Sequence, residues 1–370
     1  MHHHLNKKLD IESKLGLSVG ICLLLATLDN RMIIPAFLLS LLSGNFIIAK
    51  SRLYILFFAL ILIFWMLIKE VSVPGVSRNI YVSILPFCFF AAFSIKKIST
   101  KFLLALLIGF LPILILEYIT IVLQRIFQVN LFGQQFENFR SDGVRAKGLF
   151  ESSFYSLSLM ICFTLLYFRI WKAGVFAYAL YIILFLSGTL RSLIFILLFS
   201  TRRYVYLKYW TIIFCISIIS SVGIFMMTYL SVHFEFYTQN SGNFFRVNAW
   251  KNAIEEISNN SFWGTKQATP TLSDNIAINL ENISAFRIFE SKLLTDAVNY
   301  GFFFVIFKLT FFFMLGAEVH LQAKTQVDHS KYVIQFIPAF LVLDYCVFGF
   351  LTMHILGLIM TLLIFSSSNR

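Results

Sequence analysis

Twelve runs of mostly apolar residues constrain this chain more than any other feature. They fall at about 12–28, 32–49, 53–68, 79–95, 102–122, 154–170, 173–188, 189–201, 209–230, 301–317, 332–348 and 351–366. A helix needs roughly 20 such residues to cross a bilayer. Inside lipid the backbone must satisfy its own hydrogen bonds, so runs of this kind become helices. Composition leaves no soluble alternative, because 59% of the residues are hydrophobic and only 13% charged. A soluble domain is nearer half apolar and a quarter charged. The expected fold class is therefore all-α, a polytopic integral membrane protein of about 12 transmembrane helices forming one membrane domain over 1–370. No small-residue cleavage site follows the first run, so the first span is expected to remain as an anchor.

The formal net charge of +12 has two readings, a nucleic-acid partner or orientation within a membrane. Its distribution favours the second. With the N-terminus inside, the basic groups Lys7/Lys8/Lys14, Lys50/Arg52, Lys96/Lys97/Lys101, Arg169/Lys172, Arg202/Arg203/Lys208, Lys324/Lys331 and Arg370 all fall on the cytoplasmic side. Short cytoplasmic loops carry such an excess of Lys and Arg. Both termini are then cytoplasmic, and no nucleic acid is expected. The same rule favours a hairpin over one long span at 173–201, with Ser187, Gly188 and Thr189 near its turn. That hairpin puts two long loops, 123–153 and 231–300, on one outer face.

The second loop has structure of its own. SGNFFRVNAWKNAIEEI sets Phe245 or Arg246, Trp250, Ile254 and Ile257 at helical spacing behind a Ser241/Asn243 start signal. NNSFWGTK breaks that helix, and AFRIFESKLLTDAVNYGFFF reads as another one entering the membrane at Gly301.

Several chemistries lack their parts. There is no GxxxxGK[ST] phosphate loop, GxGxxG, HExxH or Asp-x-Asp pair. The five cysteines (Cys22, Cys88, Cys162, Cys215 and Cys346) are scattered singly through apolar runs, so neither a disulfide framework nor a zinc site is indicated. What remains on the outer face is a set of cations: Arg140, Arg145 and Lys147 in the first loop, Arg191 at the hairpin turn, Arg246 and Arg287 in the second loop. They read either as solvated loop charges or as an anion site, for which the guanidinium fork suits phosphate oxygens. Glu117, Asp344 and His354 lie within spans towards their outer ends, and Lys308 about two turns down from the outer side. Groups in such places snorkel, pair internally or mark a functional cavity. Glu255/Glu256 read as a solvated helix face, whereas Glu290 stands beside Arg287 just ahead of the membrane-entering helix.

RAKGLFESS, SGTLRS, FRVNAWKNAIEE with SFWG, and FESKLLTDAVNYG, set among a dozen spans, together resemble the O-antigen polymerase and ligase superfamily over about 140–305. The resemblance implies a metal-independent, inverting glycosyltransferase without cofactors, at the periplasmic face of a bacterial inner membrane. Its donor would be an oligosaccharide linked to undecaprenyl pyrophosphate. The acceptor would be a second lipid-linked repeat unit in a polymerase, or the lipid A core in a ligase. A chain-length regulator and a flippase of the same pathway are the implied partners, beside the lipid bilayer.

Carried onto this chain, Arg145, Gly148 and Phe150 match an arginine-x-x-glycine-x-phenylalanine motif. Arg191 falls in the serine-glycine hairpin, and Arg246 with Trp250 in the second-loop helix. The implied roles are pyrophosphate and substrate binding for Arg140, Arg145, Gly148, Arg246, Trp250 and Arg287, with Arg191 and Glu290 catalytic. Glu290 would be the general base and Glu151 the alternative. Ligases carry a His followed by Asn or Ser where this chain has Glu290-Ser291, and no His occurs between His233 and His320. That departure favours polymerase over ligase. A lipid-linked oligosaccharide flippase, with Lys308 and Asp344 lining its path, and a membrane scaffold are the readings from other classes.

Overall fold

A computed structural model of the chain describes residues 2–47, 49–71, 80–129, 131, 146–150, 153–171, 175–188, 190–201, 257, 263–264, 292–324, 331–348 and 354–367. These residues are mostly helical. In chain order the α-helices are α1 His2–Ala26, α2 Ile33–Leu42, α3 Lys50–Val71, α4 Ile80–Phe93, α5 Thr100–Val122, α6 Ser153–Ile170, α7 Val175–Leu186 and α8 Leu190–Thr201. They continue as α9 Lys292–Tyr300, α10 Phe302–Lys324, α11 Lys331–Leu343 and α12 His354–Ile364. Every expected span but 209–230, which lies outside the described residues, contains one of these helices.

Among the described residues three helices are long and apolar enough to cross a membrane: Lys50–Lys69, Thr100–Phe127 and Phe302–Gln322. Others are shorter than their apolar runs. The expected span at 32–49 stops at Leu42, where Gly44 turns the chain and Asn45–Phe46 pair as a strand. The hairpin at 173–201 is two helices, broken where Ser187 turns its hydroxyl back onto the Leu184 carbonyl and Gly188 takes a positive φ.

The all-α expectation needs one correction. Three short strands, β1 Asn45–Phe46, β2 Lys96–Ser99 and β3 Ser366–Ser367, form a small sheet in the order β1-β2-β3. The first pair is antiparallel and the second parallel. Their sequences have no strand periodicity, and tertiary ties hold them instead. Arg52 donates to the Lys96 carbonyl at 3.1 Å and lies over the Phe365 ring, with Glu318 at 3.9 Å. Arg169 donates from Nε to Ser366 Oγ at 2.9 Å. The segments around Lys50, Lys96 and Arg169 and the residues after α12 therefore meet at one end of the bundle.

From that end α1 and α5 run side by side in the same direction. Ser99 caps α5 by accepting from the Phe102 amide, and its hydroxyl donates to Glu12 of α1. Further along, Gly16 and Gly20 lie directly on the Phe102 and Leu106 carbonyls, and Gly20 meets Gly109. Any side chain at these glycines would collide with backbone. Small residues at this spacing let two helix backbones approach closely. The interior is rich in aromatic rings, including Phe195 stacked on Phe199 at 5.5 Å and edge-on to Phe336 and Phe340. Edge-to-face pairs of this kind add to the packing of a core.

Candidate functional site

Helix α5 carries the first part of the site. Glu117 lies 17 residues beyond Thr100, about 26 Å along the axis from the strand end. The helix does not stop at 122 as expected. Leu123–Phe127 continue it as a π-turn closed by Gln128 at φ 57°, so the first long loop begins about five residues later than the apolar run suggests. π-turns re-aim side chains and are frequent at functional sites. Here Gln124 joins Glu117 in facing the segment 147–149, and both are fully buried.

The two side chains grip the turn at Lys147–Leu149 by its backbone. Gln124 Oε1 accepts from the Lys147 and Gly148 amides at 2.8 and 2.9 Å, and its Nε2 donates to the Gly148 carbonyl at 3.1 Å. Glu117 Oε2 accepts from the Leu149 amide at 2.8 Å. Gly148 has φ +72°, and a Cβ there would overlap Glu117 Oε1 and crowd Ser156 Oγ. Glycine is required twice over, for its backbone conformation and for the carboxylate against it. Phe150 packs edge-on to Tyr155, ring centroids 5.0 Å apart, which ties the turn to α6.

A second group lies where α9 meets α10. Asp296 is fully buried between two lysines, with Lys308 Nζ at 2.6 Å from Oδ2 and Lys292 Nζ at 3.2 Å from Oδ1. Lys308 also sits 4.2 Å from the centre of the Tyr345 ring. Burial raises the Asp296 carboxyl, and the charges of Lys292 and Lys308 more than offset that, leaving it below its ordinary value.

The second loop is fastened nearby. Trp263, from SFWG, stacks on Trp65 at 5.8 Å, and Gly264 lies against Asn299 and Gly301. Trp65 itself donates to the Tyr300 carbonyl at 3.1 Å. Phe57, Leu60, Phe64, Trp65, Lys69 and Trp263 are among the residues that line a largely apolar groove of about 750 Å³. Among the described residues no three His, Cys, Asp or Glu side chains gather as metal ligands would.

Comparison with family models gave no match, and comparison with curated proteins gave none either. The site is read from its own residues. Gly148 and Arg191 are described; Arg191 is half-buried in the first turn of α8, just past the Gly188 break. Arg140, Arg145, Glu151, Arg246, Trp250, Arg287 and Glu290 lie outside the described residues. Ile257, last of the helical positions in the second loop, packs against the core.

The four ionisable groups expected within spans, Glu117, Lys308, Asp344 and His354, are all buried. Lys308 does form an internal Lys–Asp pair, with Asp296 as its direct partner. Gln124, Ser156 and Asp296 were not legible as site residues. For Asp296 the available signal was Lys292 at i−4; for Gln124 it was the seven-residue spacing from Glu117.

Proposed function

We propose that this chain polymerises undecaprenyl-pyrophosphate-linked oligosaccharide repeat units, building O-antigen or a related surface polysaccharide by inverting glycosyl transfer. It works as a polytopic protein of a bacterial inner membrane, with both termini cytoplasmic and the site periplasmic. The observation that carries this reading is the turn at Lys147–Leu149, pinned by buried side chains to the end of a membrane-long helix, opposite the end where the strands gather. That turn sets the backbone of Lys147 at the level where a lipid pyrophosphate would meet water.

The chemistry follows from the residue types. Glu290 takes the proton of the acceptor hydroxyl as that oxygen attacks the anomeric carbon. The leaving pyrophosphate gains charge as the glycosidic bond breaks, and Arg145, Arg191 and Arg246 stabilise it more than the ground state. The apolar groove beside Trp263 suits hydrocarbon chains at the same end of the bundle. Ligase chemistry shares these parts but lacks its histidine here. The carrier reading draws on Lys308, and its tie to Asp296 at 2.6 Å under Tyr345 favours a structural role for that lysine instead.

Deletion of the gene from its host, followed by gel analysis of lipopolysaccharide, separates these readings. The expected result is core bearing a single repeat unit, restored to full ladders by the wild-type copy and not by Glu290→Ala. Bare core would mean a ligase, and an unchanged ladder would overturn the proposal altogether.

A further inference from the structure

We propose that α7 and α8 form a re-entrant hairpin whose Gly188 break stops short of the outer membrane surface and is wetted from that side. Arg191 then holds a lipid's phosphate groups at the bottom of a recess. The inference rests on the membrane topology and phosphate site proposed for this chain. Helix length is the first argument. Each helix has 12 residues, about 18 Å of rise, against a hydrocarbon core of about 30 Å. Tilt shortens that reach further.

Ring contacts fix the level from which the hairpin rises. Phe168, near the end of α6, meets Tyr181 of α7 at 5.9 Å and Phe199 of α8 at 5.1 Å. Arg169, beside it, is bonded to Ser366 at the strand end. From that level α6 takes 15 residues, about 22 Å, to reach Ser153. The hairpin takes only seven residues from Tyr181, or eleven from Phe199, to reach Gly188, about 10–16 Å. The break therefore lies about 6–12 Å deeper than the start of α6.

A break at that depth has consequences for hydrogen bonding. The first amides of a helix have no partner within it. Irregular backbone inside a membrane persists only where protein buries it or water reaches it. Gly188, at φ +68°, is exposed, so protein does not bury it and water reaches it. A cation at the same depth makes the same demand. Arg191 is half-buried in the first turn of α8, and helical side chains lean towards the N-terminus, which here is the break. Deeper still, buried Phe195 and Phe199 pack with Phe336 and Phe340 and close the cytoplasmic side. The water therefore enters from the outer face. A guanidinium at the bottom of such a recess suits phosphate oxygens, and the low dielectric around it strengthens the attraction.

A single cysteine at Thr189, next after the break, tests this in spheroplasts of a strain whose protein has its five native cysteines replaced. Two impermeant reagents are compared, a small charged methanethiosulfonate and a polyethylene-glycol maleimide too large for a recess. Ser141→Cys, in the first long loop, is the surface control. Thr189→Cys is expected to react with the small reagent within about tenfold of the control, and with the large one about 100-fold more slowly. Inorganic pyrophosphate is expected to slow the small reagent about fivefold at T189C and not at all in T189C/R191A. Should T189C fail to insert, L190C carries the same comparison. Equal reaction with both reagents would put the break at the surface, and no reaction from the periplasm would make it dry. Either result overturns the re-entrant hairpin. Recessed labelling without pyrophosphate protection would overturn the phosphate contact of Arg191. An unchanged lipopolysaccharide ladder on gene deletion would instead remove the polymerase reading and leave both labelling results standing.

Discussion

Replacing Asp296 by Ala is expected to destabilise the folded protein by about 3–5 kcal/mol, the cost of removing one partner of a buried ion pair. The loss comes less from the bond than from what is left behind. Lys308 would remain buried, with the Tyr345 ring 4.2 Å away and its directly bonded carboxylate gone. Lys308→Met in the same background is therefore expected to restore much of the loss, because it removes the stranded charge. Lys292→Ala should cost far less, its side chain being partly open to solvent. Equilibrium unfolding in mixed micelles measures all four proteins. An unchanged midpoint for Asp296→Ala, or a double variant no better than the single one, would contradict the buried-triad account.

The pH dependence follows from the same geometry. Burial raises the Asp296 carboxyl and the two lysines lower it further than that, so its folded pKa is depressed. A depressed carboxylate contributes stability above its unfolded pKa and loses it as pH falls through the folded value. The triad is thus in force at neutral pH and is lost in acid as Asp296 takes up its proton.

Replacing Arg191 by Ala is expected to slow chain extension about 100- to 1,000-fold, the range seen when one preorganised donor to a developing anion is removed. The folded amount should change little, because Arg191 is half-buried at a helix start and not in the core. Arg191→Lys keeps the charge but loses the planar fork, so only part of the rate should return. Initial rates with the lipid-linked repeat unit, at equal amounts of inserted protein, give the comparison. A rate for Arg191→Ala within threefold of wild type would remove it from the site.

Apolar run length was enough to locate the helices, since a membrane-length run has few other ways to satisfy its backbone. It was a poor guide to their ends. Gly44 stops α2 early and turns it into a strand, while a π-turn carries α5 on to Phe127. The sheet was invisible because strands as short as Ser366–Ser367 have no period; Arg52 and Arg169 hold its neighbourhood from distant helices. The Gly16/Gly20 spacing was readable in principle, and its partner Gly109 was not.

Glu117 could be marked as costly from sequence, but its partner is a backbone amide 32 residues on, which no pattern encodes. Asp296 looked like an ordinary helix-surface acid in LLTDAV. Only the fold, by laying α9 against α10, makes it the partner of Lys308.

The central claim is that both long loops stand on one outer face, opposite the strand end. Single cysteines at Ser141 and Asn259, in a protein with its five native cysteines replaced, test it directly with a membrane-impermeant maleimide applied from the periplasm. A third cysteine at Lys97, in the sheet, reports the other side. The account predicts that both loop cysteines label in intact spheroplasts and that the Lys97 position labels only in inverted vesicles. Labelling of just one loop from the periplasm, or of Lys97 together with both, would contradict it.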